Sequence, residues 1–93
     1  MIKYSLKTLT TSTPLRLSPL GTHSGVDITI QNVNETGYIY LGGTEVSSTN
    51  YGYRILPNHA ISIELQGRDF LYAVSSINSM KAAVLMTNLE AGQ

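Results

Sequence analysis

Apolar and polar residues alternate one by one in several short segments, and this period of two constrains the fold more than any other feature. In "VDITI", Val26, Ile28 and Ile30 would share one face of an extended chain, with Asp27 and Thr29 on the other. The segment "AISIEL" repeats the pattern with Ile61, Ile63 and Leu65. Successive side chains of a β-strand point to opposite faces, so this alternation predicts half-buried strands.

Other segments have the length and composition of strands. "YIYLG", which begins at Tyr38, is apolar on both faces and predicts a strand that is covered on each side or lies at an interface. Residues 75–86 are the best helical candidate, but their small and β-branched end favours a turn and a final strand. The remaining segments are "IKYSL", with Ile2, Tyr4 and Leu6 on one face, "LRL" at 15–17, "FLYAV" at 70–74 and "AAVLM" at 82–86.

Turn-forming residues separate these segments at intervals close to those of an all-β sandwich or barrel. Examples are Ser18-Pro19, Ser24-Gly25, Gly42-Gly43 and Pro57-Asn58. The sequence therefore predicts an all-β fold, a single small antiparallel β-sandwich or barrel of about 6–8 short strands with an extended N-terminal arm. Residues 1–20 are interpreted as an N-terminal arm or edge strands, and residues 21–93 as the β-sandwich domain.

Composition narrows the classes of partner. The chain has 93 residues, a formal net charge of zero and only 13 % charged residues, so it lacks the basic stripe of a nucleic-acid-binding protein. It has no cysteine, which removes disulfides, thiolate zinc sites and cysteine nucleophiles. No apolar run is long enough for a signal peptide or a membrane span. We expect a protein made in the cytoplasm without a secretion signal, with neither nucleic acid nor membrane as partner.

The glycine pair in "YIYLGGTEVSSTNYGYRILPN" raises the question of a phosphate-binding loop. Such a loop lies between a strand and a helix and is usually followed by a lysine. Here a strand precedes Gly42 and Gly43, but neither a helix nor a lysine follows. The pattern favours a turn or bulge in which both glycines take positive φ.

No constellation of residues indicates catalysis or metal binding. The only imidazoles are His23 and His59, in different turns, and neither has a second ligand at metal-binding spacing. No G-x-S-x-G elbow is present, and the carboxylates are scattered. The N-x-T pattern at Asn34 is interpreted as a plain turn. We therefore expect a protein that is not an enzyme and has no cofactor and no metal.

The tyrosines are the more informative residues, because the chain has six of them with one Phe and no Trp. Tyrosine joins an apolar ring to a hydroxyl group and is enriched at interfaces. Tyr51 and Tyr53 bracket a glycine in a polar segment and are expected to be exposed. Alternatively, Tyr38 or Tyr40, together with Tyr72, simply caps the core. The candidate protein-interface residues are Tyr51, Tyr53, Arg54, Tyr38, Tyr40 and Tyr4.

From about residue 24 to residue 90 the sequence resembles a type of small β-sandwich protein encoded among the virion structural genes of tailed bacteriophages. The resemblance lies in a polar "QNVN" turn, the segments "YIYLGG", "VSSTNYGYRI", "ISIEL" and "LYAVSS", and a last apolar strand. A turn led by Pro57 lies where relatives tend to read L-x-P-G-E. Asn58 replaces the common glycine there, and asparagine also tolerates the left-handed backbone.

This resemblance implies a virion component, and a head decoration (cement) protein is the function that it favours. Such a protein would bind the major capsid protein or other virion proteins, is expected to be a homo-oligomer, and would be located in the virion. A strand-forming N-terminal arm could add to the sheet edge of a neighbour. The alternatives are a head-fibre, tail or connector-associated protein, or a small glycan-binding module that uses Tyr51, Tyr53, Asn50 and Arg54.

Overall fold

The computed structural model describes residues 2–18, 25–66 and 69–87, and within these ranges the chain forms eight β-strands and no helix. The strands are β1 (Lys3–Leu9), β2 (Leu15–Arg16), β3 (Gly25–Asn32), β4 (Ile39–Gly42), β5 (Tyr53–Ile55), β6 (Ala60–Gln66), β7 (Tyr72–Ser75) and β8 (Met80–Thr87). The predicted all-β fold is confirmed, including a final strand where a helix was the alternative. The predicted boundary between residues 20 and 21 lies outside the described residues.

The strands form two antiparallel four-stranded sheets, a β-sandwich. The first sheet has the order β1-β8-β3-β6 and the second has the order β2-β7-β4-β5. Strands that are consecutive in sequence alternate between the sheets, except for the β4–β5 hairpin. This order is that of a jelly roll, in which two Greek keys are wrapped into a double sheet.

The hydrophobic core lies between the sheets and is built from the strand faces that the alternation predicts. Val26, Ile28 and Ile30 are at most 2 % exposed, as expected for the inner face of β3. The inner side chains of β6 pack against the core as partly buried residues. The core joins both sheets through Leu9, Leu17, Ile28, Ile30, Ile39, Leu41, Ile55, Leu71, Ala73, Met80, Ala82 and Val84.

Strand β1 has an orientation that differs from the usual amphipathic pattern. Leu9 is fully buried in the core, and the alternation along β1 therefore turns Tyr4 and Leu6 to the outer face of the sheet. These two side chains are 79 % and 60 % exposed. The prediction that they share one face is confirmed, and this face is the outer one.

Asn32 is the largest polar side chain of the interior, fully buried at the end of β3. Its Nδ2 donates to the carbonyl oxygens of Gly37 at 3.1 Å and Ile55 at 3.2 Å. Its Oδ1 accepts from the backbone N–H of Asn34 at 3.1 Å and from the Asn34 Nδ2 at 2.8 Å. Asn34 in turn donates to the Lys81 carbonyl at 2.7 Å. The "QNVN" turn therefore ties β3 to β5 and β8.

The backbone at the turns corrects one prediction and confirms another. Neither Gly42 nor Gly43 has positive φ, so that expectation is wrong. A Cβ on Gly42 would lie 3.1 Å from a methyl carbon of Val46, so the close approach of the following loop disfavours a side chain there. Asn58 has φ of 61°, which confirms the left-handed conformation expected of the Pro57 turn. Gly37 has φ of 89°.

Candidate protein-interaction surface

The outer face of the second sheet carries aromatic and cationic side chains because of the strand register. On β4, Ile39 and Leu41 enter the core, so Tyr40 points outward. Tyr40 pairs with Arg54 of β5 on one side and with Val74 of β7 on the other. Arg54, Tyr40 and Val74 therefore form one row across the outer face.

The side chains around this row are in direct contact. The Arg54 guanidinium carbon lies 4.7 Å from the centre of the Tyr38 ring, a cation–π distance. The ring centres of Tyr38 and Tyr40 are 6.5 Å apart, and those of Tyr40 and Tyr51 are 4.8 Å apart, with tilted planes. Tilted aromatic pairs at these distances are attractive. We call this set, Tyr38, Tyr40, Tyr51 and Arg54, the Tyr–Arg face.

The loop between β4 and β5 holds the Tyr–Arg face in place. Val46 is 5 % exposed and packs with Tyr40, Val74 and Tyr72 in a small second hydrophobic cluster. The Gly52 N–H donates to the Leu41 carbonyl oxygen at 2.8 Å, which returns the loop to the sheet. The predicted strand with apolar cover on both sides is therefore confirmed for β4, whose outer cover is this loop.

The loop also explains why its glycines do not form a phosphate cradle. A hollow of about 270 Å³ is lined by 42–46 and 50–52. The Val46 N–H donates to the Gly43 carbonyl oxygen at 3.1 Å, so this amide is already used inside the loop. Ser47 and Asn50 exchange backbone hydrogen bonds in the same way. A phosphate loop instead directs its free N–H groups at the anion.

The candidate residues that the sequence provided separate into three places. Tyr38, Tyr40, Tyr51 and Arg54 come together, and Tyr38 and Tyr51 are 37 % and 43 % exposed, whereas Tyr40 is buried and packs with Tyr72, as the alternative interpretation expected. Tyr53 is 47 % exposed, as expected, but it pairs with Leu41 and points to the opposite side of β5 from Arg54. Tyr4 lies on the outer face of the first sheet.

A second arginine lies at the β2 border of the same outer face. Arg16 pairs with Tyr72, which belongs to the cluster under the loop. The Arg16 guanidinium carbon lies 5.8 Å from the ring centre of Phe70, which is 44 % exposed. Neither Arg16 nor Phe70 was expected from the sequence, because the pairing of β2 with β7 is not visible in the local pattern. An arginine stacked on an aromatic ring therefore occurs at both borders of this face.

Clusters of metal ligands and membrane-spanning helices are absent from the described residues. Within residues 2–18, 25–66 and 69–87, no group of three His, Asp or Glu side chains could hold a metal ion. The His59 Nδ1 lies 2.8 Å from the Pro57 carbonyl oxygen, and His23 lies outside the described residues. The same part of the chain contains no helix that is long and apolar enough to cross a membrane.

Comparison with known proteins adds no relative: no protein-family model, curated protein or solved structure matches this chain.

Proposed function

We propose that this chain is a non-enzymatic structural protein of a bacteriophage virion, most simply a decoration (cement) protein that docks in many copies on the assembled head. The observation that carries the docking role is the Tyr–Arg face, in which the exposed side chains of Tyr38, Tyr51 and Arg54 are arranged around the buried Tyr40. The assignment to a phage particle depends on the sequence resemblance over about residues 24–90. Jelly rolls also occur in viral capsid domains, which is an analogy of fold.

The chemistry of the Tyr–Arg face favours a protein as the partner. Tyrosine and arginine are enriched among the few residues that carry most of the energy of protein–protein binding. Tyr38 and Arg54 already stack in the free chain, and Tyr51 already packs on Tyr40. Side chains that are held before binding lose less conformational entropy when they dock.

Stabilisation of the shell would follow from binding alone. A protein that binds the assembled lattice, and not the separate subunits, shifts the equilibrium towards the lattice by mass action. This role needs no catalytic group. Only 13 % of the residues are charged, which suits a chain whose surfaces are largely covered by other proteins.

Copurification with particles of the phage that encodes the chain tests the proposal. We expect the wild-type chain in stoichiometric amounts in purified particles. Replacement of Tyr51 and Arg54 by alanine removes both ends of the face and should weaken binding by about thirtyfold, or about 2 kcal/mol. Tyr53→Ala is the matched control, because Tyr53 is equally exposed but lies on the other side of β5.

Two results would contradict the proposal. One is finding the wild-type chain only in the soluble lysate. The other is a double variant that keeps its thermal stability and still occupies particles like the wild type.

Glycan binding is the second candidate function, favoured by the hollow next to Tyr51. Glu45, Asn50 and Thr44 line it with polar groups, and an aromatic ring at its rim could stack on a sugar. Binding on a broad glycan array that is lost in Tyr51→Ala would favour this function. An array without any bound sugar counts against it and leaves the virion proposal intact.

A further inference from the structure

The outer face of the first sheet bears a contiguous apolar patch. The register places Tyr4 opposite Leu85 and Leu6 opposite Ala83 on the adjacent strands β1 and β8. Ile2 continues the row at 64 % exposure, and Leu85 is 41 % exposed. We call these residues, Ile2, Tyr4, Leu6, Ala83 and Leu85, the β1–β8 patch. Large exposed apolar patches on small proteins mark interaction sites.

The exposure of the patch is not forced by an excess of apolar residues, because β1 also contains polar residues that the opposite orientation would place on its outer face. On β1 the polar side chains Lys3, Ser5 and Lys7 lie on the same side as the buried Leu9, while Tyr4 and Leu6 face solvent. Burial of Leu9 at the end of the strand requires this orientation, which leaves Tyr4 and Leu6 exposed in the single chain. These apolar side chains would be covered if another surface packs on the outer face.

The covering element has to lie on the face of the sheet and not along its edge. β1 is an edge strand, and an edge invites pairing with a second strand. Lys3 and Lys7 oppose this, because antiparallel pairing of two β1 strands centred on Ser5 places Lys3 opposite Lys7 of the other copy. Like charges that face each other across strands are unfavourable, and inward-pointing lysines are a common protection of edges.

Charges at the two ends of the patch indicate what covers it. Asp27 and Glu64 are directly opposite each other on β3 and β6, an unfavourable pair in the isolated chain. Asp27 is also opposite Thr87 of β8, next to the Ile2 end of the patch. Lys81 lies at the other end of the same face, where its Nζ donates to the Thr8 hydroxyl. The surface therefore carries an anionic corner and a cationic end with an apolar centre between them.

We propose that a second copy of this chain covers the β1–β8 patch, face to face, about a two-fold axis that runs across the strands. This rotation reverses the strand direction. It lays the Lys81 end of one copy over the Thr87 end of the other, where Asp27 and Glu64 form their pair. The apolar centres then meet each other, and each carboxylate pair gains a cation.

The size of the face limits the area that this contact can bury. Four strands of seven to eight residues present a face of roughly 20 by 20 Å. Two such faces bury roughly 800 Å² in all, below the roughly 1,200 Å² of standard stable interfaces, so we expect a weak, reversible dimer. The Tyr–Arg face lies on the opposite side of the sandwich and stays free in both copies. Such a dimer would be bivalent, whatever the Tyr–Arg face binds.

Sedimentation velocity of the full chain, from low to high micromolar concentration, tests the proposal. We expect a monomer–dimer equilibrium that weakens with added salt. Tyr4→Ser combined with Leu6→Ser should raise the dissociation constant at least about tenfold, because it removes the centre of the contact. Tyr53→Ser, an exposed tyrosine of the other sheet, should leave the constant unchanged.

A charge exchange separates the contact from a general effect on folding. Lys81→Glu should weaken the dimer, because it places a third carboxylate against Asp27 and Glu64 of the other copy. Adding Asp27→Lys to the same chain should restore part of the affinity. A monomer at every concentration, or oligomers that grow without limit, would overturn the proposal. So would a dimer that is insensitive to Tyr4 and Leu6 but strengthened by Lys7→Ser, since this would indicate edge pairing.

Discussion

Asn32→Ala should lower the free energy of unfolding by about 3 kcal/mol, because it leaves several polar groups in the core without a hydrogen-bond partner. The Gly37 and Ile55 carbonyl oxygens each lose a donor, and Asn34 loses the acceptor of its N–H. None of these groups gains a replacement partner from alanine. For a chain of this length, the loss corresponds to a decrease in Tm of roughly 12–24 °C.

Urea denaturation and calorimetry measure this change, and a matched asparagine is available as control. Asn50 is exposed, and its Nδ2 makes one long hydrogen bond of 3.3 Å to the Glu45 carbonyl oxygen. Asn50→Ala should therefore change stability by less than about 0.5 kcal/mol. If both variants lost the same small amount of stability, the hydrogen bonds of Asn32 would not be what joins β3 to β5 and β8.

Gly37→Ala is expected to destabilise the fold by about 2–4 kcal/mol, for two reasons that act together. The backbone at Gly37 has φ of 89°, which a residue with a Cβ adopts only with strain. The added Cβ would also lie 2.7 Å from the Met80 sulfur and 3.1 Å from the Ser76 hydroxyl oxygen. Met80 is 5 % exposed, so its side chain has little free space into which it can move.

Gly43→Ala, in the loop between β4 and β5, is the matched control. Its φ is not positive, and no atom lies within 4 Å of the position that a Cβ would take. Alanine should be neutral there or slightly stabilising, because it restricts the unfolded chain. Equal losses in the two variants, measured by chemical denaturation, would show that the Gly37 conformation is not a constraint.

The sequence predicted the parts of the fold that depend on local pattern. Alternation identified the buried face of β3, and the Pro57 turn identified Asn58 as a left-handed residue. Alternation alone does not say which face of a strand is inner. That choice for β1 depends on Leu9, which enters the core at the strand's end. A local pattern therefore could not predict the orientation of Tyr4.

The candidate site was predictable in composition but not in arrangement. Tyr38 and Tyr40 share a face by spacing alone, as the local pattern indicates. The position of Arg54 beside Tyr40 depends on the register of β4 and β5, which are joined by a loop of residues 43–52. A loop of that length fixes no register by itself. For the same reason, the sequence did not indicate that Tyr53 lies apart from Tyr51.

The pairing of β1 with β8 and of β2 with β7 has a consequence for how the chain folds during synthesis. The first two strands leave the ribosome early, but their only partners within the described sheets are the last two strands. The sandwich therefore cannot close until β7 and β8 have emerged, and such non-local pairing is slow. During that delay "IKYSL" is an unpaired strand, and Lys3 within it and Lys7 directly after it act as gatekeepers against aggregation. The lysines that protect the edge of the finished sheet would thus also keep the nascent chain apart from its neighbours.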